Sequence, residues 1–191
     1  MTASERPLRA DAQRNREAIL QAAGELFGER GDEAQIEEIA AHAGLGVGTV
    51  YRHFADKQAL VAAIVARRFE AATELARAAE AIDDPGEAFA RLLDEYLRSV
   101  SSDSAFRRAL LGPEEPRWEA IALHKAAFRD VVARIVARAV EGGVIRSDFG
   151  VDDFVLVTRG VMANMDGGDW RRHLAIQLDG IRSASGPIPP P

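Results

Sequence analysis

Cysteine is absent, so the chain forms no disulfide and offers no thiolate to a metal, as suits a cytoplasmic protein. No apolar run approaches the ~18 residues of a membrane span. The basic N-terminus, MTASERPLRADAQRNR, has no apolar stretch behind it and does not read as a secretory signal. Lysine is nearly missing: arginine outnumbers it 22 to 2, which with abundant alanine reflects a GC-rich genome more than a function. No internal repeat is visible. No GxSxG, P-loop or Cys/His pattern occurs, which leaves an enzyme little to stand on. A local absence is more telling. From Ile39 to Ala55 there is no Asp or Glu, although the whole chain carries a net charge of −6.

That acid-free stretch overlaps residues 36–54, IEEIAAHAGLGVGTVYRHF. Apolar residues fall at Ile36, Ile39, Ala40 and Ala43, then at Val47, Val50, Tyr51 and Phe54. Each set follows i, i+3, i+4, i+7, one face of an α-helix. Gly44 stands where the first helix must end and the chain turn, a place that favours φ > 0. Glu37 and Glu38 favour the positive end of the first helix. Two short helices about a Gly-containing turn make a helix-turn-helix, whose second helix can enter the DNA major groove.

The outward residues of that second helix are Gly46, Gly48, Thr49, Arg52 and His53. The glycines let a phosphate backbone or a base edge come close. Arg52 can bond guanine O6/N7 or a phosphate, and Thr49 can touch a base edge or a thymine methyl. Tyr51 can bury its ring while its hydroxyl reaches a phosphate. Asp56 reads as the N-cap of the next helix, whose start together with Lys57 makes a second phosphate site. The same periodicity also fits a purely structural helical hairpin. GLGVG, residues 44–48, can be read as a nucleotide loop, but that motif follows a β-strand and here the preceding segment is helical by period. The net negative charge opposes indiscriminate coating of nucleic acid, not a sequence-specific reader, because the field that matters is local. Arg6, Arg9, Arg14 and Arg16 outnumber Glu5 and Asp11, so the N-terminus reads either as an arm reaching DNA or, over residues 1–9, as a solvated tail.

IEEIAAHAGLGVGTVYRHFADKQAL, preceded by REAILQAAGELFGERG, resembles the DNA-binding domain of the TetR/AcrR-type transcriptional regulators. The motif covers about a quarter of the chain and departs from the common form in two places. The segment between Gly31 and Ile39 is a residue short, and Gln35 stands where a Ser or Thr cap is usual. The resemblance implies an N-terminal three-helix DNA-binding head followed by a helical ligand-sensing and dimerisation domain. It also implies that the last two helices build a four-helix dimer interface with their copies.

Elsewhere helical periods cover the chain and no strand is apparent, so the expected fold class is all-α. Helices are expected at 11–29, burying Ile19, Leu20, Ala23, Leu26 and Phe27, and at 56–81, with Leu60, Ile64 and Leu75 apolar. Asp83-Asp84-Pro85 signals a helix start, after which Phe89, Leu92, Leu93, Tyr96, Leu97 and Val100 point inward. Further helices are expected at 104–111, stopped by Gly112-Pro113, and at 115–141, stopped by Gly142-Gly143. A loop then leads to Asp152, a candidate cap. The helix at 153–165 is apolar nearly all round, which suits one face on its own domain and one on a second subunit. A last helix, 169–182, carries Trp170, Leu174, Leu178 and Ile181 on one stripe. The tail SASGPIPPP is too rich in proline to pack. The expected domains are 1–55, 56–184 and the tail 185–191.

Asp169 and His173 have the i, i+4 spacing of two metal ligands, but no third is apparent, and Asp169 after Gly167-Gly168 is more simply a cap. No cofactor, metal or catalytic residue is expected. The reading is therefore a homodimeric regulator, most simply a repressor, that binds double-stranded operator DNA with an inverted repeat and releases it when an unknown small molecule enters the C-terminal domain. Candidate pocket walls are Phe89, Tyr96, Trp118, His124, Phe128, Phe154, Thr158 and Met162. Candidate dimer contacts are Leu156, Val157, Val161, Trp170, Leu174 and Leu178. The alternatives are a regulator governed by a protein partner and a helical enzyme with a vestigial head. No membrane role is expected.

Overall fold

The computed structural model describes residues 5–112 and 117–182. Among them the secondary structure is helical, apart from one isolated antiparallel bridge between Ile145 and Arg182. The helices are α1 Glu5–Arg30, α2 Ile36–His42, α3 Val47–His53, α4 Lys57–Glu80, α5 Pro85–Ser101, α6 Ser104–Leu111, α7 Arg117–Ala120, α8 Ala122–Glu141, α9 Val151–Ala163 and α10 Trp170–Ile181. A 3-10 turn occupies Gly31–Glu33. The all-α expectation holds. No described helix is long and apolar enough to cross a membrane.

The chain divides into two compact units. One lies within Met1–Arg67 and Glu114–Ile121, the other within Arg68–Pro113 and Ala122–Pro191. The sequence placed a boundary just before α4, whereas the units part inside that helix. Its first turns are tied to α1: Arg67 Nη1 lies 2.6 Å from Glu17 Oε2, and Lys57 Nζ sits 5.6 Å from the Phe27 ring centroid. The Pro-rich tail lies outside the described residues.

In the first unit α1 buries Ile19, Leu20, Ala23, Leu26 and Phe27, as its period predicts. It starts at Glu5 instead of Asp11, which corrects the tail reading for residues 5–9; residues 1–4 lie outside the described ones. Pro7 does not oppose the longer helix, because an N–H in the first turn has no intrahelical acceptor to lose. Ile36, Ile39, Ala40, Val50, Phe54 and Leu60 are also buried in this unit.

In the second unit Asp84 caps α5, its Oδ1 accepting the Glu87 N–H at 2.7 Å, with Pro85 at the first helical position. All six predicted inward residues of α5 are buried. So are Phe128, Val132, Ile135 and Ala139 of α8, and Phe154, Thr158, Val161 and Met162 of α9. Gly143 has φ +68° and ends α8: its N–H reaches Val140 O and the Val144 N–H reaches Ala139 O, both at 2.9 Å.

Two expectations are corrected. The helix expected from 115 to 141 is broken at Ile121, where α7 ends in the first unit and α8 begins in the second; residues 113–116 lie outside the described ones. Asp152 does not cap α9. Gly150 is the N-cap, and Asp153, three residues on, reaches back with Oδ2 to accept the Gly150 N–H at 2.8 Å, so the helix starts at Val151. On α4 the buried row is Leu60, Val65, Phe69, Ala72, Ala76 and Ala79, with Ile64 and Leu75 only half-buried.

Three arginines tie the second unit together. Arg107, 6 % exposed, pairs with Asp166. Arg159 donates to the last carbonyls of α6, Leu110 O at 2.6 Å and Leu111 O at 3.3 Å. Arg138 donates to Glu80 O at 2.6 Å and Ile82 O at 2.7 Å, where α4 ends. Each supplies donors to groups a helix end leaves unsatisfied or to a lone carboxylate.

Candidate nucleic-acid interface

The site is built on α2, the turn 43–46 and α3. Gly44 has φ +68°. Its N–H meets Ala41 O at 3.1 Å and the Leu45 N–H meets Ala40 O at 2.9 Å, the paired bonds that close a helix through a left-handed residue. At the other end of α2 the unusual Gln35 gives no side-chain cap; its amide instead donates to Glu33 O at 2.8 Å. Glu38 reaches back to accept the Gln35 N–H at 3.1 Å, a reciprocal half of a capping box that the sequence reading missed although Glu38 stands three residues on. α3 starts after Gly46, whose carbonyl accepts the Thr49 N–H at 2.8 Å.

Val50 and Phe54 anchor α3 in the core, and Val47 is half-buried. Tyr51 is not anchored. It is 51 % exposed, which corrects the expectation of a buried ring. With Val50 taking the centre of the buried stripe, the next residue turns ~100° away around the helix. The outward face then carries Gly46, Gly48, Tyr51 and Arg52, exposed, with Thr49 and His53 half-buried at its margins. Neither glycine is needed internally: a Cβ at Gly46 or Gly48 would meet no atom within 4 Å. Arg52 folds along the helix, its Nη2 donating to Thr49 Oγ1 at 2.8 Å and its Nε to Gly48 O at 3.2 Å. The i, i+3 spacing made that pairing legible, but the sequence reading treated the two residues separately.

Two acids of the same unit, Glu38 and Glu25, have partners. Glu38 is held below the ordinary carboxylate range by the Gln35 N–H and by Arg30, whose Nη1 lies 2.7 Å from Glu38 Oε1. Glu25 is lowered by His42, whose Nε2 lies 2.7 Å from Glu25 Oε2, and by Gln21. Two expected cations are engaged within the unit. Arg16 stacks its guanidinium 4.9 Å from the Phe54 ring centroid, and Lys57 lies over Phe27. Asp56 caps α4 as expected, accepting the Ala59 N–H at 2.7 Å. The surface as a whole offers a guanidinium, an imidazole, a phenol, a hydroxyl and two bare backbone positions, with no carboxylate on α3.

The other predicted residues separate into groups. Tyr96 packs against Phe128, ring centroids 4.9 Å apart, and against Phe154 at 6.1 Å. Burial pushes the Tyr96 hydroxyl far up in pKa. Phe89 packs instead on Phe149, at 6.2 Å. Thr158 donates to Phe154 O at 2.8 Å, and Met162 is 1 % exposed. His124 stands apart with Nε2 3.1 Å from Glu70 Oε1. The Trp118 side chain lies outside the described residues. Phe89, Tyr96, Phe128, Phe154, Thr158 and Met162 are all buried within the second unit. A groove of about 280 Å³ lies elsewhere, between α4, α5 and α6, bounded by Arg68, Leu75, Ser99, Asp103 and Phe106 among others. Of the dimer candidates, Val161, Trp170 and Leu174 are turned into their own unit and Val157 and Leu178 are half-buried, whereas Leu156 is 69 % exposed. Val155 and, on α10, Ile176 are exposed with it. Asp169 caps α10 through the Arg171 and Arg172 N–H groups, and the His173 ring accepts from Gln177.

Known proteins carry the same arrangement. Residues 19–64 match the family model of bacterial regulatory proteins of the tetR family, and residues 84–183 that of the C-terminal domain of SbtR-like transcriptional regulators. The HTH-type transcriptional regulator UidR of Escherichia coli strain K12 is 30% identical over 193 residues, 95% of this chain and 96% of UidR. A crystal structure of a TetR transcription regulatory protein from Mycobacterium vanbaalenii is 34% identical, with a TM-score of 0.66 over 92% of this chain and 99% of that one. At 17% identity, Bacillus subtilis FadR, solved in complex with stearoyl-CoA, shares the fold with a TM-score of 0.70 over 87% of this chain and 99% of its own. With a helix-turn-helix head closed by Gly44, a helical second unit and both family models matched, the chain belongs to the TetR family of DNA-binding transcriptional regulators.

Proposed function

We propose that this regulator is a dimeric, ligand-responsive repressor that binds an imperfect inverted-repeat operator in the cytoplasm. The observation that carries the reading is the outer face of α3, exposed, free of acid and bare of side chains at Gly46 and Gly48. In this reading Gly46, Gly48, Thr49, Tyr51, Arg52 and His53 meet the major groove, and Lys57 at the start of α4 approaches a phosphate. One recognition helix reads few bases, so two copies related by a twofold axis are needed to read a near-palindrome. Val155 and Leu156 of α9 with Ile176 of α10 supply the apolar surface that one protomer leaves open. The effector would act on the second unit, favouring a spacing of the two heads that no longer fits the operator. FadR, of the same fold, holds stearoyl-CoA, which supports a small-molecule effector as the class of signal.

The test is selection of binding sites by the full-length protein from a random duplex pool, followed by a reporter carrying the selected site behind its promoter. An enriched imperfect inverted repeat and a silenced reporter are expected. Enrichment of a single unrepeated half-site, or no enrichment, would sink the proposal.

A further inference from the structure

Most arginines of the described residues answer a carboxylate: Arg30, Arg67, Arg68, Arg91, Arg107 and Arg134 are examples. Arg52 does not. It is exposed, and the two bonds recorded for it stay within α3, from Nε to Gly48 O and from Nη2 to Thr49 Oγ1. A guanidinium is planar and has five N–H donors. Nε–H and one Nη2–H form one side of the fork, and both are used here. The remaining pair on the end of the fork, one N–H on Nη1 and one on Nη2, is parallel and free. That pair has the spacing of guanine O6 and N7 in the major groove. Gly48 beside it has no side chain to crowd an approaching base pair.

We propose that Thr49 and Arg52 form one reading unit, in which Thr49 is a positioning residue that fixes the Arg52 fork for bidentate contact with a guanine in each half-site. The proposal rests on the DNA-binding reading above. It gives Thr49 a different role from the direct base or methyl contact that its place on α3 suggests. A long, exposed side chain is held before binding, so less of its freedom is lost when the base arrives.

The experiment uses the full-length protein and its selected operator. Each guanine of the repeat is replaced in turn, in both half-sites, by 7-deazaguanine, which removes N7 and leaves base pairing intact. Wild type, Arg52→Ala, Thr49→Val and Thr49→Ser are titrated against every version, after circular dichroism has shown each variant folded. For wild type, one symmetry-related guanine should cost roughly tenfold or more in affinity when its N7 is removed. Arg52→Ala should show no such penalty. Thr49→Val keeps the shape and loses the hydroxyl, and should shrink the penalty several-fold. Thr49→Ser keeps the hydroxyl and should restore the penalty. The inference is overturned if Thr49→Val retains the full penalty and Thr49→Ser loses affinity, because Thr49 then reads a methyl or base itself. It is equally overturned if Arg52→Ala weakens operator and random DNA alike and flattens the salt slope by about one, the mark of a phosphate contact. If the pool yields no enriched sequence for wild type, the DNA-binding reading falls with it, and that result is distinct from either of the others.

Discussion

Glycines 44 and 48 are four residues apart and do opposite things. Gly44 has φ +68°, so the turn between α2 and α3 demands it. Gly48 lies inside α3 with ordinary helical φ, and an added Cβ there would touch nothing. A glycine inside a helix costs about 0.5–1 kcal/mol relative to alanine, and nothing within the protein compensates for it. Gly48→Ala should therefore stabilise the protein by up to about 0.5–1 kcal/mol in urea unfolding. If α3 enters the major groove, the same change should weaken operator binding, because the methyl group stands where a base edge or sugar would come. A variant that is more stable and binds DNA undiminished would place Gly48 away from the DNA. Stability and affinity moving in opposite directions would be hard to explain by any general damage to the head.

At the scale of single helices, α9 is the informative one. Its apolar residues run nearly all round, but only Phe154, Thr158, Val161 and Met162 form its inward face. Leu156, 69 % exposed, projects the other way. Leu156→Glu should leave the protomer's own core intact and place an unpaired carboxylate in the proposed subunit contact. Burying such a charge costs several kcal/mol. Sedimentation at micromolar concentration should show monomer where wild type shows dimer, with the helical circular dichroism signal preserved. An unchanged dimer would move the interface off α9. The same substitution at Val161, which has no exposed surface, would test folding and not assembly.

For the whole molecule, the consequence of the proposed twofold symmetry is geometric. Two heads held in one dimer bind the second half-site at a high effective concentration, which multiplies affinity without any new contact. The half-sites should lie one groove repeat apart on one DNA face, roughly 34–36 Å in the unstrained case. Inserting about five base pairs between them turns the second half-site to the opposite face. Affinity for the full-length protein, measured by titration of labelled duplex, should then fall toward that of a single half-site. An insertion that leaves affinity intact would mean the heads do not read one palindrome, and the dimeric mechanism would be wrong.

What could be read from the chain alone was whatever depends on near neighbours. The helix-turn-helix, its Gly44 turn, the Asp56, Asp84 and Asp169 caps and the buried row of α5 all follow from residues a few positions apart, because helix period, capping and left-handed φ are local physics. The acid-free face of α3 was equally legible, since a run without Asp or Glu needs no coordinates. The tertiary structure decided which side of an apolar helix faces inward, and so showed that Tyr51 is exposed and that Val161, Trp170 and Leu174 belong to their own unit. It also decided the break at Ile121 and the pairing of Arg107 with Asp166 across 59 positions of chain. Those outcomes are set by the other elements that compete for the same volume and the same charge. A sequence names every competitor, but only the packed chain determines which of them meet.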